Sequence, residues 1–239
     1  MSGHSKWATI RRKKEINDLK KGKNFTKVLS QIVQITKEGG GDPKSNFLLK
    51  TVIERAKAIN IPMETINKAI KKGLSNESSS DYDECLYEAY GPCGIAVIIK
   101  CLTDNKNRAI SNLRSTIERN GGKMVDNGTL SWKFQKVGMI TIKMSEIQDI
   151  NLFEEKLIDI DGIVDYEYDT DLFFIYTDIK CLKSVSDILE KEDTIDNIKI
   201  AMIPKVKVEI DDIDEGEKVS KFLDAIESLE DVDDIYLNI

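Results

Sequence analysis

Apolar residues recur along this chain with two different periods, and the change of period divides it. Across residues 24–38, Phe25, Val28, Leu29, Ile32, Val33 and Ile35 fall at helical spacing and form one stripe. Gly39-Gly40-Gly41 predicts the end of that helix, because glycine enters the left-handed conformation that a helix C-terminus needs. Asp42-Pro43 predicts the next start, as N-cap and first turn, and Leu48, Leu49, Val52, Ile53 and Ala56 carry the second stripe. A third short helix is expected from Pro62, with Met63, Ile66, Ala69 and Ile70 inward and Gly73 closing it. Three amphipathic helices with short connections make a small antiparallel bundle.

Residues 74–84, LSNESSSDYDE, are polar and acidic without periodicity, and read as a linker that lets the modules on either side move relative to each other. Beyond it the period shortens. Strands are expected at 86–90 and 95–102, a helix at 105–120 with Ile110, Leu113 and Ile117 on one face, and short strands at 123–125 and 130–134. Residues 137–204 then read as strand 139–143, helix 147–160, strands 164–168 and 172–177, helix 182–190 and strand 198–203, the β-α-β-β-α-β order of a ferredoxin-like unit. A strand at 206–210, a helix at 218–229 and a strand at 235–237 remain. The block at 85–136 begins a similar unit without its second helix and last strand, which the C-terminal segment can supply. The expected fold is therefore α+β and multidomain. A helical module (1–73) and a linker (74–84) precede a split α/β domain (85–136 plus 205–239), into which a second ferredoxin-like domain (137–204) is inserted.

Charge changes this picture. Residues 1–73 hold 17 Lys/Arg against 6 Asp/Glu, and residues 74–239 hold 18 against 36. The overall −7 is thus the sum of a basic end that polyanions can find and an acidic body that repels them. His4-Ser5-Lys6-Trp7 runs into Arg11, Arg12, Lys13 and Lys14, and Lys20, Lys21, Lys23 and Lys27 extend the strip into the first long helix. Cations of this kind pair with phosphates, and Trp7 can stack on a base or ribose. A solvated charge run, with Trp7 folded onto the bundle, is the competing structural reading. The concentration of charge in one small module favours the polyanion.

Other chemistry finds little support. The longest aliphatic run, residues 95–99, is too short to cross a bilayer, and no apolar region follows the basic start as a secretory signal requires. An organelle transit peptide is disfavoured by Glu15 and Asp18. Cys85, Cys93, Cys101 and Cys181 form no CxxC pair and His4 is the only histidine, so neither metal, cofactor nor disulfide scaffold is expected, and reduced thiols suit the cytoplasm. Gly39-Gly40-Gly41-Asp42-Pro43-Lys44-Ser45 lacks the spacing of a phosphate loop and reads as a connector. Thr103 or Asp104 is expected to cap the following helix, with Lys106 and Arg108 as an alternative partner contact. The acidic runs 211–215 and 230–234 read as solvated turns. No nucleophile–base–orienter set can be assembled, and the expectation is a protein that is not an enzyme.

The segments GHSKWATIRRKK, KGKNFTKVLSQI, EGGGDPKSN, RAKAINIP, INKAIKKG, YEAYGPCGIAVIIKCLTDNKNRA and GGKMVDNGTLSWKF, in that order, resemble the YebC/PmpR family. The resemblance implies three domains, an N-terminal helical one followed by two α/β ones. It also implies nucleic-acid binding, since the family is described as DNA-binding transcriptional regulators and includes translational activators and ribosome-associated factors. The family's N-terminal motif falls on Gly3, His4, Ser5, Lys6 and Trp7, and its helical-domain basic positions on Lys20, Lys21 and Lys23. The chain departs from the family at Ala89 and Cys93, where glycine is usual, and at Met124-Val125, where Leu-Gly is usual. The expectation is a non-enzymatic, cytoplasmic regulator of gene expression that binds nucleic acid through residues 1–73, with DNA as the target that the family description implies. RNA or the ribosome is the alternative target, and an adaptor binding an acidic protein the further one. The acidic α/β domains would set geometry or meet a protein partner.

Overall fold

In the computed structural model the described residues are 24–75, 83–191, 194–210 and 212–239. They belong to two compact units, one of residues 24–135 with Ile203–Ile239, the other of Lys136–Met202. The fold is α+β, with three N-terminal helices followed by two four-stranded sheets, and the second sheet's unit is inserted into the first.

Helices α1 (Asn24–Gly39), α2 (Phe47–Ala58) and α3 (Met63–Leu74) enclose one apolar core. Val28, Ile32, Val33, Leu49, Val52, Ile53, Ala56, Ile61, Ile66 and Ala69 are buried in it. Phe25 and Met63, expected inward, are exposed at the ends of their stripes. α1 stops where glycine permits it: Gly40 takes φ +84° and its N–H bonds the Thr36 carbonyl at 2.8 Å. The cap of α2 is Asn46 rather than Asp42. Asp42 instead closes a turn, its carboxylate accepting from the Lys44 N–H, while Asn46 Oδ1 accepts from the Leu49 N–H at 3.1 Å. Asn46 Nδ2 also donates to the Ile35 and Gly40 carbonyls at 3.0 and 2.8 Å. One buried side chain thus satisfies orphan groups at the end of one helix and the start of the next. Gly73 does not close α3 as expected, because the helix continues to Leu74. A Cβ there would stand 2.6 Å from the Val33 carbonyl and 2.7 Å from Thr36 Cβ, so at Gly73 the backbones of α1 and α3 approach too closely for a side chain.

The first sheet has the order β3-β1-β2-β8, from Lys123–Val125, Asp83–Tyr90, Ala96–Thr103 and Val232–Leu237. Its helices are α4 (Lys106–Arg119) and α7 (Ile213–Glu227). In the inserted unit β4 (Phe134–Lys143), α5 (Ile150–Ile158), β5 (Ile163–Tyr168), β6 (Leu172–Thr177), α6 (Leu182–Leu189) and β7 (Ile195–Pro204) form a sheet ordered β5-β6-β4-β7. That is the strand arrangement of a ferredoxin-like unit. The two orders correspond position by position, except that the third strand's place in the first sheet is taken by β1, which comes earlier in the chain. The C-terminal α7 and β8 complete the split sheet. β6 is buried along its whole length, and Phe173 is packed by Phe153 edge-on and by Tyr166 and Tyr168 in stacks.

Three local expectations are corrected. Residues 206–210 are not a strand; the Val208 N–H donates to the Asn238 carbonyl, just past β8, at 2.7 Å. Residues 130–134 are a short helical turn, Ser131–Lys133, leading into β4. The cap of α4 is Asn105, whose Oδ1 accepts from the Arg108 N–H, while Thr103 Oγ1 steadies it by accepting from the Asn105 N–H.

The helices and the first sheet share a unit, with Gln31 Nε2 donating to Asp233 Oδ1 at 2.8 Å. Residues 76–82 of the expected linker lie outside the described residues.

Candidate nucleic-acid interface

Of the eleven residues proposed to contact nucleic acid, ten lie outside the described residues: His4, Lys6, Trp7, Arg11, Arg12, Lys13, Lys14, Lys20, Lys21 and Lys23. Lys27 is described. It is half-buried on α1, and its positive charge is felt at the buried Cys101 thiol of β2.

The helices carry further cations. Residues 24–75 hold nine Lys/Arg against four Asp/Glu, so the basic character of the module does not end at Lys27. Lys37, Lys44, Lys50, Lys57, Lys68 and Lys71 are exposed. Arg55 and Lys57 stand in the last turn of α2, and Lys71 and Lys72 in that of α3, where a cation also complements the helix dipole. Lys68 is engaged by Glu64 one turn away, at 2.7 Å with both side chains exposed, a pairing of little energetic weight that a phosphate can displace. Lys50, Lys57 and Lys71 are the positions that charge counting alone could have singled out.

The first sheet presents a different electrostatic face. Lys106 and Arg108, weighed as partner contacts, are held by the protein's own carboxylates: Lys106 by Asp83 at 3.0 Å, Arg108 by Asp104 at 2.7 Å and Asp231 at 2.8 Å. The Asp83 hydrogen bond and charge raise the Lys106 pKa, and hydrogen bonds to Asp231 and Asp104 raise that of Arg108. Lys100 lies on the sheet between Glu84 at 3.0 Å and Asp233 at 3.5 Å. Burial presses the Lys100 pKa down, but the Asp233 and Glu84 carboxylates outweigh it and the net shift is upward. Burial first, then the charges of Asp231 and Cys85, push the Cys101 thiol up to about 12, so it stays protonated and unreactive. These cations neutralise the body's own acids.

One loop on this sheet is held by an unusual device. Glu88 of β1 is only 4% exposed, and its two carboxylate oxygens accept from the N–H groups of Gly128 and Leu130. A buried carboxylate is tolerable only when it is satisfied in this way. The loop so held inserts Leu130 fully into the core and leaves Trp132 65% exposed.

Among the described residues no group of three or more His, Cys, Asp and Glu could hold a metal ion. None of their helices is long and apolar enough to cross a membrane.

Comparison with known proteins places the fold. The model of the TACO1/YebC N-terminal domain matches residues 5–76, and that of the TACO1/YebC second and third domains matches residues 82–239. A "Probable transcriptional regulatory protein" of Chlorobaculum parvum is 41% identical over the whole of this chain and 94% of its own length. The Bacillus subtilis protein YrbC, which bears the same description, is 38% identical over the whole chain and 99% of its own length. The crystal structure of a conserved hypothetical protein from Aquifex aeolicus superposes with a TM-score of 0.84 at 35% identity, covering 91% of this chain and 89% of that one. With both domain models matched in order along nearly its whole length, the chain belongs to the TACO1/YebC family.

Proposed function

We propose that this protein is a non-enzymatic, cytoplasmic regulator of gene expression that binds DNA through its basic N-terminal residues 1–73. The observation that carries this reading is the segregation of charge: 17 cations against 6 acids in residues 1–73, followed by a body with twice as many acids as cations. The relatives named as transcriptional regulatory proteins support it. In this reading Lys6, Arg11, Arg12, Lys13, Lys14, Lys20, Lys21 and Lys23 take phosphates, Trp7 stacks and His4 contributes a hydrogen bond. Lys50, Lys57 and Lys71 extend the contact along the helices. Lys27, half-buried on α1, contributes least.

RNA is the second reading, favoured by the presence of a stacking aromatic within the cationic strip, which suits unpaired bases better than a duplex groove. The two part on direct measurement. Labelled duplex DNA, single-stranded RNA and purified ribosomes are titrated with the full chain at fixed ionic strength. Tightest binding to duplex DNA supports the transcriptional reading. Tight ribosome or RNA binding with weak, sequence-blind DNA binding replaces it with a translational one. No binding to any of the three removes both.

A further inference from the structure

The Glu88-anchored loop ends in an exposed tryptophan that the core does not use. Its neighbours explain why it is displayed. The Trp132 indole N–H donates to the Thr129 carbonyl at 2.8 Å, which fixes the ring against its own loop while two-thirds of the residue stays in solvent. Lys133 Nζ lies 5.6 Å from the Trp132 ring centroid and 5.8 Å from that of Tyr90, the last residue of β1. Lys123 of β3 is the register partner of Tyr90. The Lys205 N–H donates to the Lys133 carbonyl at 2.9 Å, which sets the backbone of a third, exposed lysine beside Lys133. Among the described residues none forms an ion pair with Lys123, Lys133 or Lys205, in contrast to Lys100, Lys106 and Arg108 on the same sheet's unit. The nearest acid along the loop, Asp126, lends its backbone carbonyl to the turn, accepting from the Thr129 N–H and hydroxyl.

We propose that Trp132, with Lys123, Lys133 and Lys205, is a second nucleic-acid contact on the otherwise acidic body, where an unpaired base of a single strand stacks on the indole and the lysines take the flanking phosphates. A fixed aromatic ring beside cations that no described carboxylate neutralises is the pairing by which single strands are held without sequence preference. A duplex keeps its bases stacked on one another and offers the ring nothing, so the site selects single-stranded segments. Glu88 is a positioning residue: the two hydrogen bonds that its buried carboxylate accepts hold the backbone on which Trp132 stands. The proposal rests on the nucleic-acid reading of the protein, and adds to it a site on a different domain.

The test uses the full chain, with Trp7→Phe introduced only for the emission measurements so that Trp132 is the only tryptophan, and affinities are measured with Trp7 in place. A 12-nucleotide oligo(U) and the matching oligo(dT) are added, tryptophan emission is followed, and affinity is measured by anisotropy of the labelled strands. Quenching of Trp132 emission is expected with either strand, and a preference for oligo(U) would assign RNA through its 2′-hydroxyls. Trp132→Ala should weaken binding about tenfold, Trp132→Phe should recover most of that loss, and Lys133→Glu should weaken it in a salt-dependent way. Unquenched emission, or unchanged affinity in Trp132→Ala while charge reversal of Arg11, Arg12, Lys13 and Lys14 abolishes binding, would overturn this site and leave the N-terminal reading intact. Absence of binding by the parent chain would overturn both. Equal quenching by poly-glutamate would assign the patch to an acidic protein and overturn base stacking.

Discussion

Cys93 shows how much a single position can carry. It takes φ +60° in the turn between β1 and β2, a conformation that costs a side-chain-bearing residue roughly 1–2 kcal/mol. Cys93→Gly removes that cost while adding backbone entropy to the unfolded chain, and a net stabilisation of about 0.5 kcal/mol is expected in urea unfolding. Gly162 is the opposite case. It takes φ +95°, and a Cβ there would lie 2.4 Å from Cys181 Cβ. Gly162→Ala is therefore expected to lower stability by more than about 2 kcal/mol, read as a fall in the urea midpoint at constant slope. The departure from glycine at position 93 could be read from the family pattern. Its cost could not, because strain is a property of φ and sequence pattern reports only side-chain spacing.

Elements were legible where their apolar periodicity was strong and poorly legible where a polar side chain decided the boundary. The stripes of α1 and α2, and the runs of β2 and β6, follow from spacing and apolar continuity. The caps do not: Asn46 and Asn105 replaced Asp42, Thr103 and Asp104 because a cap is chosen by tertiary hydrogen bonding as well as by residue type. Residues 206–210 alternate like a strand, yet form none. The Asn46 side chain caps α2 with one hydrogen bond and reaches the end of α1 with two, so Asn46→Ala should cost about 2–3 kcal/mol and lower the thermal midpoint. The first sheet also gives the protein an alkaline limit. Cys101 and Tyr87 are both held protonated, burial being the largest cause for each, with pKa raised to about 12. The unfolded chain releases these protons first, from about pH 8.5 for the thiol and about 10 for the phenol. Stability is thus full below about pH 8.5 and declines as pH rises towards 12. Urea midpoints measured at pH 7.5 and 10.5 should fall in the parent, and fall less steeply in Cys101→Ala despite its lower starting stability.

At the scale of the whole molecule, charge is divided between parts that do different work. The body's cations Lys100, Lys106 and Arg108 are answered by its own acids, whereas the N-terminal module carries an excess that nothing in its composition balances. That division was visible by counting residues; which lysines gather around Trp132 without an ion pair among the described residues was not, because Tyr90, Lys123, Lys133 and Lys205 meet only through sheet pairing and a loop. If the N-terminal cations take the phosphates, duplex DNA binding by the full chain must weaken steeply with salt. A module making about six phosphate contacts should give a log–log slope near −5, and Glu at positions 11–14 should bring that slope towards zero by about 3.6 as four contacts are lost. Circular dichroism should show the α/β domains still folded in that variant. A parent slope near zero, or a variant slope equal to the parent's, would contradict the account.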